Sequence, residues 1–319
     1  MRVHAQGKDR MGEAAQHSGS GATMVEARED AKGRFLELFS CVRWSEVLVL
    51  QGPPLLGLLF STHKITAAWF LITVLFAAGS VLLVAHVFVL NDWTGMKTDL
   101  QDPNRRRQVF TYRGISQRSI GFLSVSLLTA GLLLLSIFGP RTLTLALSIV
   151  VLSALYSFTR VHLKGIPVIN SALHFLAGLL HFLLGYSIFA ALDLRGIEIG
   201  CFFALVFVAG HLTHETRDSD ADGLNGIRTN AVAFGRIRCF VAGLILFATA
   251  NVWLMLLALL TVIPRPLALL ILILPLHIYW SLRTIYSGLT FVSVQRFRDQ
   301  YRVLYGLMGA IMAAVLIMV

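Results

Sequence analysis

Nine apolar stretches, each long enough to cross a bilayer as a helix, run through this chain from about residue 44 to its C-terminus. Apolar residues make up 56% of the chain and charged residues only 14%, which excludes an ordinary soluble domain. We therefore expect an all-α fold, a polytopic membrane bundle of nine transmembrane helices. The approximate bounds of the stretches are 44–61, 67–90, 115–138, 141–158, 169–190, 197–213, 237–262, 266–285 and 302–319.

The basic residues predict the orientation of this bundle, because cytoplasmic loops collect lysine and arginine. With a cytoplasmic N-terminus, 23 of the 27 Lys and Arg fall on the cytoplasmic side and 4 on the other. The basic residues are spread over several loops, so the formal charge of +10 indicates membrane topology and anionic ligands and excludes a nucleic-acid-binding face. Residues 1–42 are mostly polar and lack the apolar core of a signal peptide. They are predicted to form a disordered cytoplasmic tail before a transmembrane domain over 43–319.

Acidic residues are concentrated in two short segments at the cytoplasmic ends of predicted spans. From Val47 onward the chain contains 10 Asp and Glu, and 7 of them lie in these segments. A carboxylate beside a bilayer is unfavourable, so this concentration indicates a functional site. Acids from two distant segments repel each other unless a cation holds them, and hard divalent cations prefer oxygen ligands. The polar residues of the two segments are Asn91, Asp92, Asp99 and Asp102, then Glu215, Asp218, Asp220 and Asp222.

The spacing within the first segment places several of its residues on one helical face. Asn91, Gly95 and Asp99 are four residues apart, so they point to one side of a continuing helix. Such a row of oxygen ligands, opposite a second row, would hold Mg2+ ions that bridge to a diphosphate. Neighbouring Arg and Lys would neutralise the remaining phosphate charge. The sequence thus indicates a membrane enzyme that binds Mg2+ and a phosphorylated substrate.

The second segment repeats this pattern near the end of the sixth predicted span. Glu215, Asp218 and Asp222 have helical spacing, whereas Asp220 lies off their face. His214, beside Glu215, is a candidate site residue. The histidines within the spans lack paired metal-ligand spacing and are expected to form hydrogen bonds between helices; they are His86, His174, His181, His211 and His277.

At these residues the chain resembles the UbiA superfamily of intramembrane prenyltransferases. The segment TRDSDADGLNGIRTNAVAFG is similar to the DxxxD region of that family and the motif that follows it. The first acidic segment is similar to the family's NDxxDxxxD motif through Asn91, Asp92 and Asp99. RRRQVFTYRGISQRS, LYSFTRVHLKG and Arg43-Trp44 are further matches in the expected order. The residues matched in the second segment are Asp218, Asp222, Gly226, Thr229 and Gly235.

This resemblance implies helices around a central cavity, a cytoplasmic cap over the two Asp-rich segments, Mg2+ as cofactor and an isoprenyl diphosphate substrate. The expected main catalytic and metal-binding residues are Asn91, Asp99, Asp218 and Asp222. The expected secondary metal ligands are Asp92, Asp102 and Glu215. The candidates for binding the diphosphate are Arg105, Arg106, Lys164 and Arg228.

One departure from the family pattern bears on the reaction. Gly95 stands where prenyltransferases of the family usually carry their second aspartate, and the remaining pattern resembles that of UbiA-type terpene cyclases. The leading prediction is therefore a class I terpene cyclase that ionises geranylgeranyl or farnesyl diphosphate and cyclises the allylic carbocation. The alternatives are transfer of the prenyl group to an aromatic or lipid acceptor, and a transporter or non-catalytic relative. Acids at helix ends on one face, instead of at mid-membrane, argue against a transporter.

Overall fold

The computed structural model describes residues 37–102, 106–158 and 163–318, and the regular secondary structure of these residues is helical throughout. The prediction of an all-α membrane bundle is confirmed. The helices of the unit Arg43–Val319 are α1 Trp44–Val49, α2 Gly52–Ser61, α3 Ala67–Gln101, α4 Gln117–Ser136, α5 Pro140–Ser157, α6 Ile169–Tyr186, α7 Leu194–Leu224, α8 Asn230–Phe234, α9 Arg236–Leu259, α10 Leu274–Tyr286 and α11 Phe291–Met318. Two short 3₁₀ turns precede α4 and one precedes α6, and a longer 3₁₀ segment, Arg265–Ile273, leads directly into α10.

Eight of these helical segments, within the described part of the chain, are long and apolar enough to cross a membrane. They are α3, α4, α5, α6, α7, α9, the segment Arg265–Tyr286 and α11, and they match eight of the nine predicted spans. The remaining predicted span, 44–61, consists of the two short helices α1 and α2. Proline favours the first turn of a helix and interrupts a preceding one, so Pro53 and Pro54 start α2 anew. Nine crossings, the cap and the tail stay predictions, since residues 1–36 and parts of two loops lie outside the described residues.

The two longest helices position the candidate site. Helix α3 has 35 residues and α7 has 31, whereas about 20 suffice to cross the hydrocarbon core. Each begins at a capped end: the Thr66 hydroxyl accepts a hydrogen bond from the Trp69 amide at 3.3 Å, and Asp193 accepts one from the Gly196 amide at 2.8 Å. The extra length of each helix carries its acidic segment.

Glycines allow α2 and α6 to approach until their backbones touch. A methyl group added at Gly185 would lie 1.8 Å from the carbonyl oxygen of Pro54, and one at Gly57 would lie 2.1 Å from that of Phe182. Small residues are the usual means of such close packing between membrane helices. The contact fixes the broken first segment against α6, which forms one wall of the cavity described next.

Candidate active site

The acid-bearing ends of α3 and α7 face one cavity of about 250 Å³. The two segments are far apart in the sequence, and their convergence agrees with the expectation of two facing rows of oxygen ligands. The acidic and amide residues of the two segments that line this cavity are Asn91, Asp99, Asp102, Glu215, Asp218, Asp222 and Asn225.

On the α3 side, the predicted face is present because the helix continues without a break to Gln101. Asn91 and Asp99 line the cavity from it, and Asp102, the residue that ends the helix, is only 4% exposed and lines it too. Asp92 follows Asn91 by about 100° around the helix and does not line the cavity. Its carboxylate instead accepts two hydrogen bonds from Arg43, the one from Nε at 2.9 Å.

On the α7 side, Asp218 and Asp222 line the cavity, and Asp220 does not. The side chain of Asp220 is 82% exposed and pairs with Arg236, which agrees with its predicted position off the site face. Asp218 accepts hydrogen bonds from Nε and Nη2 of Arg217 at 2.6 and 2.9 Å. The local sequence therefore supplies both an acid row and a guanidinium that orients one member of it.

Glu215 lines the cavity but also holds three elements together. Its Oε1 accepts a hydrogen bond from Asn170 Nδ2 of α6 at 2.5 Å. Its Oε2 accepts two from Asn230 of α8, from the backbone amide at 3.1 Å and from Nδ2 at 2.9 Å. A buried carboxylate needs such partners, and here both oxygens have them. The role of Glu215 as a secondary metal ligand stays a prediction.

The basic residues predicted to bind a diphosphate occupy different positions. Lys164, in the 3₁₀ turn before α6, lines the cavity. Arg106 and Arg228 are exposed and do not line it; the guanidinium of Arg106 lies 5.9 Å from the ring centre of Tyr112. Arg105 lies outside the described residues.

Three other arginines line the cavity but were not among the predicted site residues: Arg43, Arg217 and Arg298. Arg217 adjoins Asp218, and that adjacency was a usable signal. Arg298 belongs to the last helix, and no motif pointed to it. Glu46 of α1 accepts hydrogen bonds from Arg298 and from Arg302, the latter through Nη1 at 3.1 Å, so α1 is tied to α11 beside the cavity.

Away from the acids, aromatic and imidazole rings of α5, α6 and α7 form a wall of the cavity. The rings of His174 and His211 stack with centroids 3.5 Å apart and an interplanar angle of 10°. Phe207 stacks against His174 at 5.7 Å and against His181 at 6.2 Å. The rings of Tyr156 and His174 form a T-shaped pair with centroids 5.0 Å apart. His214, the predicted candidate, lines the cavity as well.

The prediction that span histidines join neighbouring helices is confirmed for only one of them by a hydrogen bond. His86 of α3 lies 2.9 Å from the carbonyl oxygen of Ser124 in α4. His174 and His181 instead donate to carbonyl oxygens within α6, and neither nitrogen of His277 has a partner among the described residues. Sequence spacing missed the ring wall because the stacking involves two helices.

The donor set of the cavity fits Mg2+. The side chains from α3 and α7 are carboxylates and amides, the hard oxygen ligands that this ion prefers. Among the described residues, no three His, Cys, Asp or Glu side chains are close enough to hold a metal ion by themselves. Mg2+ commonly binds through one or two carboxylates together with substrate phosphates, so an open arrangement of this kind suits it.

Comparison with known proteins agrees with this geometry. The model of the UbiA prenyltransferase family matches residues 52–288. No curated protein sequence matches the chain significantly. A UbiA homolog from Archaeoglobus fulgidus, solved bound to DMAPP and Mg2+, superposes with a TM-score of 0.67 at 19% identity, covering 88% of this chain and 98% of that one.

Two further solved structures share the fold. An apo UbiA homolog from Aeropyrum pernix K1 has a TM-score of 0.68 at 16% identity over 87% of this chain and 100% of its own. A digeranylgeranylglyceryl phosphate synthase has a TM-score of 0.66 at 16% identity over 90% of this chain and 100% of its own. The family match covers most of the chain, and these structures reproduce its helical bundle, so the chain belongs to the UbiA prenyltransferase family.

Proposed function

We propose that this protein is a Mg2+-dependent class I terpene cyclase that ionises geranylgeranyl or farnesyl diphosphate, releases diphosphate and cyclises the allylic carbocation within the membrane. The observation that carries the proposal is that one cavity is acidic near the ends of α3 and α7 and lined by rings on another side. An isoprenyl diphosphate has the complementary distribution of a charged head and an apolar tail. Membership of the UbiA family and a related structure bound to DMAPP and Mg2+ support this substrate class.

The acidic end would hold the diphosphate. We propose Asn91, Asp99, Asp218 and Asp222 as the main metal ligands, with Asp92, Asp102 and Glu215 as secondary ones. Mg2+ bound there would neutralise the diphosphate and favour its departure. Lys164 lines the same end and would donate hydrogen bonds to phosphate oxygens. Arg105, Arg106 and Arg228 remain proposed contributors from the loops around it.

The inner part of the cavity would protect the carbocation. Its apolar lining keeps water away from an ion that water would otherwise capture, and ring faces stabilise positive charge. The apolar residues that line the cavity on α3 and α5 are Val84, Val87, Phe88, Ile149 and Leu152. A carbocation held against this wall is therefore more readily captured by the double bonds of the substrate tail than by water.

Gly95 supports cyclisation over transfer. A methyl group added there would lie 3.8 Å from Asp99 Oδ2, an ordinary contact distance, so packing does not exclude a larger residue. The absence of an acid at this position is consistent with the pattern of UbiA-type cyclases. Transfer to an aromatic or lipid acceptor is the second candidate, and the family match favours it. A non-catalytic relative or transporter is the third.

The deciding experiment supplies the protein with geranylgeranyl or farnesyl diphosphate and Mg2+ but with no acceptor. We expect release of diphosphate together with a cyclic hydrocarbon, and loss of both when Mg2+ is chelated. Asp222→Ala should lower diphosphate release by roughly 100-fold or more, because even residues that only hydrogen-bond to a metal ligand contribute about 10- to 100-fold to activity. Asp220→Ala is the matched control on the same helix, because Asp220 faces away from the cavity.

Each outcome separates the candidates. Activity that appears only after a phenol or lipid acceptor is added would support transfer and exclude the cyclase. Equal release by the Asp222→Ala and wild-type proteins would remove the assignment of the second acidic segment.

A further inference from the structure

The ring wall contains a cavity-lining histidine with one ring nitrogen that makes no hydrogen bond to the described residues. His174 Nδ1 lies 2.8 Å from the carbonyl oxygen of Asn170, one turn earlier in α6. A carbonyl only accepts hydrogen bonds, so Nδ1 carries the proton of the neutral ring and Nε2 carries the lone pair. Nε2 makes no hydrogen bond within the described part of the chain, and the residue lines the cavity. The ring is therefore prepared to accept a proton from a molecule in the cavity.

The carboxylate of Glu215 lies near the positive charge that protonation would place on His174. His174 stacks on His211 at 3.5 Å, and His211 Nε2 lies 3.1 Å from Glu215 Oε1. Asn170 and Asn230 hold Glu215 in place through hydrogen bonds. A positive charge on His174 would form near this carboxylate and also near the ammonium group of Lys164, so Glu215 offsets that charge only in part.

His181 has the same tether, with Nδ1 donating to the Ala177 carbonyl oxygen at 2.7 Å, but it lacks this support. It lies seven residues farther along α6 than His174, which is about 10 Å on a helix. Its described ring neighbour is Phe207, at 6.2 Å. His174 is therefore distinguished from His181 by its stacking on His211 and by its position nearer the acidic end of the cavity.

Distance separates His174 from Asp218, one of the proposed main metal ligands. Asp218 is seven residues along α7 from His211, the stacking partner of His174, and seven residues rise by about 10 Å. A general base must come within about 3 Å of the proton that it removes. A carbocation folded against the ring wall would consequently lie closer to His174 than to a phosphate group bound beside Asp218.

We propose that His174 is the catalytic base that ends the reaction, an assignment that rests on the proposed cyclisation. Diphosphate departs with the electron pair of its C–O bond, and π electrons of the chain close the ring by forming a C–C bond. A C–H bond beside the cationic carbon then supplies its electron pair to a new C=C bond. The proton forms an N–H bond with the lone pair of Nε2 and passes to water when the products leave. The product is a cyclic hydrocarbon.

Two variants test this base while leaving the acidic end unchanged. His174→Phe keeps a flat ring for stacking but removes the nitrogen, and His174→Ala leaves room for added imidazole. Each is assayed for diphosphate release and for the composition of the products. Ionisation occurs at the acidic end, so release should stay within about tenfold of the wild-type rate. The hydrocarbon fraction should fall at least tenfold, since a general base contributes about 10²- to 10⁴-fold, and alcohols should replace it.

Rescue by added imidazole distinguishes the loss of a base from a change in the shape of the cavity. Added to His174→Ala, it should restore the hydrocarbon fraction, whereas pyrrole, which lacks the basic nitrogen, should not. If His174→Phe fails to fold, the Ala variant and its response to imidazole decide the question. His277→Leu is the histidine control: His277 is fully buried between helices and does not line the cavity, so the product composition should not change.

An unchanged hydrocarbon fraction in the His174 variants would overturn the proposal and assign the proton to the departing diphosphate. An alcohol as the main wild-type product would overturn it as well. Failure of the proposed function is seen separately, in a wild-type protein that releases no diphosphate or requires an acceptor; either result also excludes this base.

Discussion

Gly95 is the residue at which one substitution would change the charge of the site most directly. A methyl group there would meet Asp99 Oδ2 at 3.8 Å and Thr98 Oγ1 at 3.9 Å, which are ordinary van der Waals contacts. We predict that Gly95→Asp lowers the Mg2+ concentration needed for half-maximal diphosphate release by roughly fivefold to tenfold, because an added carboxylate strengthens cation binding. Titration of Mg2+ against the initial rate of release measures the effect.

Gly95→Asn is the matched control, since it has nearly the same shape without the charge. Its Mg2+ requirement should remain close to that of the wild type. The added charge should also repel Asp99 when Mg2+ is absent, so the thermal stability of Gly95→Asp should depend on Mg2+ more strongly. An identical Mg2+ requirement in the two variants would show that this position is remote from the bound ion.

At the residue scale, spacing predicted which side chains share a face, but it did not predict their partners. Asn91 and Asp99 line the cavity because a straight helix repeats every 3.6 residues, which is a local property. The pairing of Asp92 with Arg43 and the lining position of Arg298 depend on which helices become neighbours. A sequence pattern contains no direct record of such neighbours, so these residues could be identified only in the folded chain.

Among the elements, the contact between α2 and α6 tolerates the least change. A methyl group at Gly185 would lie 1.8 Å from Pro54 O and 2.7 Å from the carbonyl carbon, both of which are backbone atoms. We predict that Gly185→Ala destabilises the fold by about 2 kcal/mol or more, at the upper part of the usual range for overpacking. The measurement is the temperature at which half of the detergent-solubilised protein loses its folded, monodisperse state.

Gly306→Ala in α11 provides the comparison. Apart from its chain neighbours and the adjacent backbone of its own helix, no heavy atom of the structure's described residues lies within 4 Å of a methyl group at this position. Alanine favours a helix by up to about 1 kcal/mol over glycine. Its midpoint should be equal to or higher than that of the wild type. Equal midpoints for the two variants would mean that α2 and α6 can separate without loss of the fold.

The same region shows where element prediction from sequence fails. Hydropathy recognised the apolar character of 44–61 but treated it as one span, and the structure divides it before Gly52. Averaging over a window removes the information that two consecutive prolines begin a helix. The other eight spans were found because each contains enough consecutive apolar residues to cross the bilayer, although α3 and α7 continue well beyond the predicted ends.

For the molecule as a whole, polar groups face inward at one end of the bundle and apolar groups face outward. Large exposed hydrophobic side chains are present along most of the membrane helices, as expected for surfaces that meet lipid. Buried charges are instead concentrated around the cavity, where Glu46 joins α1 to α11 and Glu215 joins α6 to α8. The sequence predicted this division from the position of its acids, but the shape and lining of the cavity arise from all the helices together.

That shape should determine which prenyl chain the protein accepts. Ala177 lines the cavity on α6 between His174 and His181, so a larger residue there would take space from the inner end of the tail. We predict that Ala177→Leu lowers kcat/KM for geranylgeranyl diphosphate at least about tenfold more than for farnesyl diphosphate, since small changes in an apolar pocket are worth roughly 1 to 3 kcal/mol. Ala172→Leu, at an exposed position on the same helix that does not line the cavity, should leave the ratio unchanged. An equal loss for both substrates would place the end of the tail elsewhere in the cavity, because only a residue beside the terminal prenyl unit distinguishes the longer chain from the shorter one.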